Sequence, residues 1–520
     1  MSVELPPPAT PQQGTVEQLQ SQAGGGVVVA FQNYQLHVAA SNILDEAAIQ
    51  NAVTLADNVS NAVRNIGAAA YLAGYPAAQV TYALSGNDLY VLVLPGKVSG
   101  IRASDALKPY LNGLETADPM RDSNLMGHTT LASIAADRAG IDVFPVFEPD
   151  GNGGQVLDFE KNNKDNDPTT IRAEFGNPGN RYASRYFLDL DLKTASIWGD
   201  EFRAFVREGI QNLDDKGTPG DYHEQDLIWN RVTPWGVFGV NGRIINYNYT
   251  APATTTTAAT PVLGRIWVGE AQWLYPLYAD FTSRWTVQAK ADRTSKSGKI
   301  DSNATTTSQE YQRELYTSGE LGTTYLKNFV LLAHRWDFAG GVSVRKGFGD
   351  DAQFTTVPVH NDEGYLLFRP TASLKFYWNN SITTGVEASG QFSNDAVPEQ
   401  QQWVLGGLGN LTSALPGVAV GDKGYLARGF TEVTVPLMAG LELRPRAFVE
   451  YGAAKFAKPQ GTQPTETQSL TDAGLELGVK FTQLIDATVS YAKSFNDKGV
   501  TQQTKDASDA RLYFRISVKI

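Results

Sequence analysis

Arg428 and Glu450 are the residues of this chain best placed to form an electrostatic contact away from water. Arg428 lies in ARGF (Ala427–Phe430), where an alternating run begins, and Glu450 lies in FVEYG (Phe448–Gly452) on the next run. An unpaired charge in a low-dielectric place is very costly, so a buried guanidinium needs an acid partner. A long Gly-rich excursion, residues 394–424, precedes the arginine. The pair is read in two ways. It holds that excursion in place, or it is an ordinary ion pair worth roughly 1 kcal/mol or less if water reaches it.

No other group of side chains suggests chemistry. His37, His128, His223, His334 and His360 are scattered, with no pair at metal-ligand spacing. No G-x-S-x-G, P-loop or H-E-x-x-H pattern occurs. DGNGG (Asp150–Gly154) lacks the spaced acids and closing Glu of a calcium loop and reads as a hairpin turn. The expectation is a non-enzyme with no cofactor and no metal.

The elements that must position Arg428 and Glu450 are strands. From about Thr169 onward the chain alternates apolar and polar residues. Leu188, Leu190 and Leu192 alternate with Asp189, Asp191 and Lys193; Leu475, Leu477, Val479 and Phe481 alternate with Glu476, Gly478 and Lys480. In the last strand Leu512, Phe514, Ile516, Val518 and Ile520 share one face. Short links at Thr233–Gly236, Tyr275–Asp280, Lys327–Asn328, Trp378–Ser381 and Thr482–Asp486 alternate with long polar ones, including a Thr run at Thr254–Thr257. Short turns on one side and long loops on the other are the layout of a transmembrane β-barrel, here of roughly sixteen antiparallel strands. Parity then places Arg428, Glu432, Thr434, Phe448 and Glu450 in the lumen if Val433, Val435, Leu437, Val449 and Tyr451 face lipid. Asp189, Asp191, Arg203, Arg207 and Lys480 also point inward, as a pathway lining or as solvated lumen.

Composition agrees. Hydrophobic content is 42% and charged content 19%, with a net charge of −12 that argues against nucleic acid. Mean hydropathy of −0.27 is compatible with a barrel, which shows lipid only every second residue. No run of about 18 apolar residues is present, so no transmembrane helix is expected. Cysteine is absent, which suits an oxidising compartment. MSVELPPPATPQQ has neither the basic nor the apolar region of a signal peptide, so the chain reads as cytosolic or as a mature form restarted at Met1.

Ahead of the strands the reading gives a Pro- and Gln-rich tail or linker (1–25) and two α+β domains (26–100 and 101–166), with the barrel over 167–520. In the first, Val27–Phe31 is a strand, Asp45–Tyr71 is helical, and Gln79–Leu84 pairs with Asp88–Leu94 around a Gly-centred turn. The second repeats a looser version, with a helix near Leu125–Ala139.

Over nearly its whole length the chain resembles outer-membrane transporters of two-partner secretion (the TpsB type), which carry periplasmic POTRA domains ahead of a 16-stranded barrel. The likeness rests on GYPAAQV (Gly74–Val80) before the first domain's hairpin, LPGKVSGI (Leu94–Ile101) after it, LNGLETADPM (Leu111–Met120), and FGNPGNRYASRYFLDLDL with the later IWGDEF at the first barrel hairpin. Two motifs belong to the family: VRGF on an inward-folding sixth loop, and F/G-x-D-x-G on a nearby strand whose acid meets that arginine. FVEYG fits the second, with Glu450 for Asp and with Phe448 and Gly452 in their places. ARGF nearly matches the first by letters. By order it does not: LGG (Leu405–Gly407) is followed by GNLTSALPG, and GDKGY (Gly421–Tyr425) comes before ARGF; read by letters Arg428 is the family's loop arginine, and read by order it is the ordinary arginine that opens the next strand.

The resemblance implies a secretion pore in the outer membrane of a Gram-negative bacterium, with its POTRA domains in the periplasm. Its partners would be an unfolded TpsA-like exoprotein, outer-membrane lipid and, for insertion, the barrel-assembly machinery. Exoprotein capture would use the first domain's hairpin, with Val80, Tyr82, Leu84, Tyr90 and Leu92 as candidate contacts in a groove beside a helix. A plug helix in the N-terminal segment is not expected. An insertase of other outer-membrane proteins and a passive porin-like channel are the alternative readings.

Overall fold

The computed structural model describes residues 6–40, 42–151, 154–160, 164–165, 168–180, 184–196, 199–210, 213, 220–251, 260–300, 309–349, 354–355 and 360–520. The Thr254–Thr257 run lies outside the described residues, as do parts of several long polar links and of DGNGG.

The first domain contains β1 (Gln12–Gln13), α1 (Val16–Ala23), β2 (Val27–Phe31), β3 (Tyr34–Ala39), α2 (Glu46–Thr54), α3 (Val59–Leu72), β4 (Gln79–Ser85) and β5 (Asp88–Leu94). Its sheet runs β1-β4-β5-β3-β2. Alternation sends Leu36, Val38, Val80, Leu89, Val91 and Val93 to one face, where Ile49, Val63 and Ile66 of α2 and α3 cover them. The side chains of Asp45 and Asn58 accept the Ala48 and Asn61 N–H groups and start the two helices.

The second domain contains β6 (Val98–Arg102), α4 (Lys108–Leu111), α5 (Asp122–Arg138), β7 (Ile141–Asp142), β8 (Val146–Pro149), β9 (Gln155–Asp158) and β10 (Lys164–Asp165). Its sheet runs β6-β9-β8, and β7 pairs with β10. Two boundaries differ from the sequence reading. The first domain's sheet ends before Pro95–Gly96, so Val98–Gly100 belongs to the second domain. Residues 12–24 are not a free tail: they form β1 and α1 on the first domain, because Leu19 and Ala23 find apolar cover there.

The barrel strands are β11 (Thr170–Gly176), β12 (Phe187–Ala195), β13 (Asp200–Gly209), β14 (Tyr222–Thr233), β15 (Gly236–Ala251), β16 (Thr260–Ala279), β17 (Ser283–Ile300), β18 (Gln309–Leu331), β19 (His334–Phe348), β20 (Phe354–Thr355), β21 (Leu366–Tyr377) and β22 (Ile382–Gln391). After a long loop carrying β23 (Trp403–Leu405) and β24 (Ala419–Gly421) come β25 (Lys423–Val433), β26 (Val435–Met438), β27 (Leu441–Lys455), β28 (Gln468–Phe481), β29 (Ile485–Lys498), helix α6 (Gln502–Ser508) and β30 (Leu512–Lys519). β20 is a short annex on β18, and β26 continues β25 past Thr434, which leaves sixteen antiparallel strands closed by the β11–β30 seam.

Leu188, Leu190, Leu192, Leu475, Leu477, Ile516 and Val518 lie exposed on the outside, while Asp189, Arg428, Glu450 and Asp472 are buried inside. Closure pairs every strand with a neighbour on each side. With an apolar exterior and a charged lumen, this is a membrane-spanning barrel. Leu475→Arg, in the middle of β28, should cost about 2–4 kcal/mol in urea unfolding from lipid vesicles.

Two turns fall elsewhere than the sequence suggested. Lys327–Asn328 lies inside β18, and the chain reverses at Leu332–Ala333, both at positive φ (54° and 63°). Neither residue type signals a left-handed turn, so the true site carried no cue. Tyr275–Tyr278 continues β16 through a bulge between Pro276 and Tyr278. Helix α6 is one that strand periodicity did not reveal.

The α+β domains meet the barrel at its short turns. Tyr110 Oη donates to Val232 O (2.9 Å), and Arg138 Nη1 donates to Gly199 O (2.9 Å). Tyr71 of α3 stacks on Phe281 in the β16–β17 turn with centroids 4.7 Å apart. Burial, with the Asp122 charge adding, pushes the Tyr71 phenol well above its ordinary pKa.

Candidate functional site

The candidate site is where the loop of residues 392–422 crosses the lumen. β25 and β27 run antiparallel with Arg428 directly opposite Glu450, as parity requires. Arg428 Nε lies 3.4 Å from Glu450 Oε1, and Nη2 lies 3.7 Å from Glu476 Oε2. The guanidinium also sits 4.5 Å from the centroid of the Phe448 ring, a cation–π contact. Gly452 has a different part. A Cβ there would meet Leu411 Cδ1 at 3.0 Å and Leu405 Cδ1 at 3.2 Å, so its lack of a side chain lets the loop reach the wall. All four loop-contact candidates therefore converge.

Arg428 is not on the loop. It belongs to β25, as motif order implied. The loop reaches Glu450 through backbone instead: Thr412 N donates to Oε2 at 2.7 Å and Thr412 Oγ1 to Oε1 at 3.2 Å. Ser413 N donates to Asp472 Oδ2 at 2.8 Å. Asp472 faces Glu450 across β27–β28. Both acids are fully buried, and hydrogen bonds to a charged acceptor are about twice as strong as neutral ones.

Beyond the tip, Tyr513 Oη donates to Ala414 O (2.7 Å), and Leu415 N donates to Ser508 O of α6 (2.7 Å). Gly406 (φ 108°) makes the bend possible, since a Cβ there would lie 2.1 Å from Leu415 O.

The near limb of the loop is held on other strands of the wall. Glu399 pairs with Lys296 of β17, which is almost fully buried. Gln401 Oε1 accepts from Arg345 Nη1 of β19 (2.9 Å) and Arg369 Nη2 of β21 (3.1 Å). Counted from β11 in the ring of sixteen, the near anchorage lies on the seventh, ninth and tenth strands (β17, β19, β21) and the other on the thirteenth and fourteenth (β27, β28), so the two occupy separate arcs of the wall. The loop is a crossbar through the barrel. Elsewhere four of the inward charges are paired, Arg207 with Asp189 (2.8 and 2.7 Å) and Arg203 with Asp191 (2.7 and 2.9 Å).

Thr412, Ser413 and Asp472 were missed at the sequence level. Asp472 had a signal, because extending the inward parity of Glu476 two steps back reaches it. Thr412 and Ser413 had none, since an N–H donor is common to almost every residue type.

The hairpin candidates are arranged differently from the sequence expectation. Val80 is core beneath α2 and α3, and Tyr82 is half-buried on that same side, packed against that core. Tyr90 and Leu92 lie on the opposite face under α1, and Leu84 is exposed near the turn. In β30, Ile516, Val518 and Ile520 are exposed on the outer face. Phe514 shares that parity and packs against Phe175, with centroids 5.5 Å apart.

No family model and no curated protein sequence matches the chain. Solved structures do. CdiB from Escherichia coli aligns with a TM-score of 0.67 at 14% identity, over 99% of this chain and 94% of that one. CdiB from Acinetobacter baumannii aligns at 0.63 and 11% identity, over 100% and 95%. BamA from Haemophilus ducreyi lacking POTRA domains 1-3 aligns at 0.52 and 13% identity, over 95% and 100%. At such identities the likeness establishes the fold, two POTRA-like domains and a 16-stranded barrel.

Proposed function

We propose that this chain is an outer-membrane translocation pore that receives an unfolded, TpsA-like exoprotein in the periplasm through its α+β domains and passes it out through the barrel. The observation that carries this reading is the crossbar. It spans the lumen between two walls and is held by hydrogen bonds and ion pairs that can exchange, above domains docked at the short-turn mouth. The near full-length likeness to two CdiB structures supports the same reading. Export is driven by folding of the substrate outside, and no nucleotide is required.

The insertase reading would use the β11–β30 seam as an opening. Only five residue pairs join these strands. Asn177 adds a clamp, its N–H and Nδ2 donating to Phe514 O and Leu512 O and its Oδ1 accepting from Phe514 N at 2.7 Å. Ile520 N donates to Ile171 O at 2.8 Å. A seam pinned at both ends favours passage through the lumen.

Deleting residues 12–94, the first domain with its own β1 and α1, separates the readings. Export of the cognate exoprotein should stop while the barrel stays folded and heat-modifiable on gels. Continued export would sink the capture model. Depletion of an insertase would instead lower many outer-membrane proteins, and a porin would keep its conductance after the deletion.

A further inference from the structure

The first domain carries its own occupant. Gln12 and Gln13 run parallel to Thr81 and Tyr82, on the outer side of β4. Gly14 N donates to Tyr82 O at 2.9 Å. Helix α1 then turns onto the sheet face opposite α2 and α3, where Leu19 and Ala23 bury against Ala83 and Tyr90, with Ala39 and Leu92 beside them.

This hold is slight. The strand pairs two residues. The helix has eight residues, fewer than an isolated helix needs for stability, and Thr15 supplies no side-chain cap. Val16, Leu19 and Ala23 meet the sheet; the other helix residues are Glu, Gln and Ser. The segment keeps its shape because of the surface beneath it. Another chain offering extended backbone followed by two apolar side chains would satisfy the same surface.

We propose that Gln12–Ala23 is an intramolecular strap on the receiving edge of the first domain, displaced when the unfolded exoprotein adds an extended strand to β4. The proposal rests on the secretion reading and adds how capture begins. Strand addition needs the free N–H and C=O groups of an edge strand. The strap takes those beside Thr81 and Tyr82, so strap and substrate exclude each other there. Displacement also uncovers Tyr90 and Leu92 for incoming apolar side chains. A site closed most of the time binds with an affinity reduced by the open fraction, which sets a threshold for entry.

The test is a reversible crosslink. A Cβ at Gly14 would lie 2.8 Å from Thr81 Cγ2 and 2.9 Å from the movable end of Leu19, within disulfide reach of position 81. The chain has no other cysteine, so Gly14→Cys with Thr81→Cys makes one defined bond. Full-length protein in nanodiscs is probed with a labelled synthetic peptide of residues 8–25. Protein lacking residues 1–25 should bind it at least tenfold more tightly than wild type. The oxidised double variant should not bind it, and reduction should restore the wild-type level. Leu19→Asp, which loosens the strap without a crosslink, should bind more tightly than wild type. Equal binding by the deleted and oxidised proteins overturns the strap's placement.

In cells, export that stops on oxidation and returns on reduction supports displacement. Export unchanged by oxidation overturns it while leaving secretion intact. Absence of export by the reduced protein counts against the secretion reading instead, and the peptide measurements still decide whether the strap occupies β4.

Discussion

Glu450→Ala should free the tip of the crossbar and convert a closed barrel into a conducting one. Glu450 is fully buried and takes two hydrogen bonds from Thr412 and the charge of Arg428. Its removal leaves the Thr412 N–H without its acceptor and Arg428 with Glu476 alone, at 3.7 Å. A buried donor left without its acceptor costs about 1–3 kcal/mol. Loss of the Thr412 contacts therefore shifts the docked-to-undocked ratio by roughly five- to a hundredfold. Single-channel conductance in planar bilayers should rise severalfold, and limited proteolysis should cut within residues 394–424. Glu450→Gln keeps an acceptor for Thr412 and loses the ion pair, so its effect should be smaller. If it equals the alanine change, Arg428 and not the loop backbone is the main partner. No rise in conductance with either variant would show that the loop is held from elsewhere.

The barrel was legible because alternation is dense and regular. Leu512–Ile520 and Leu188–Lys193 state their inward and outward faces residue by residue, and segregated loop lengths supplied the topology. Parity alone also put Arg428 beside Glu450. The loop's own grip was less visible. It depends on the N–H groups of Thr412 and Ser413, which residue type does not encode, and on a bend at Gly406 seen only as one glycine among many. The N-terminal strap was hidden for a related reason. Gln12–Ala23 has too little apolar content to announce an element, and it is ordered by a surface lying some sixty residues away in sequence (Thr81–Ala83). Local pattern reveals elements that carry their own amphipathicity. It does not reveal those that borrow order from a partner surface.

The other anchorage gives the second large effect. Arg345 donates to Asp292 (2.6 Å), Glu320 (2.9 Å) and Gln401 (2.9 Å), which ties β17, β18 and β19 to the near limb of the crossbar. Arg345→Met fills similar space but leaves Asp292, 5% exposed, with its Ser318 and Thr294 hydroxyl contacts and, among the described residues, no cation within ion-pair distance. A loss of about 3–5 kcal/mol is expected in urea unfolding, because the stranded carboxylate stays buried. Adding Asp292→Asn removes that charge and should recover at least half of the loss; failure to recover would mean that Arg345 acts through packing. Conductance tests whether the crossbar is one body. If the loop is a stiff link between two walls, releasing either end opens the lumen, and Glu399→Ala with Gln401→Ala, which removes the loop's own side of the near anchorage, should when combined with Glu450→Ala conduct little more than either release alone. Conductance increments that simply add would mean that the two limbs move independently, and gating would then belong to the Thr412–Leu415 tip rather than to the whole loop.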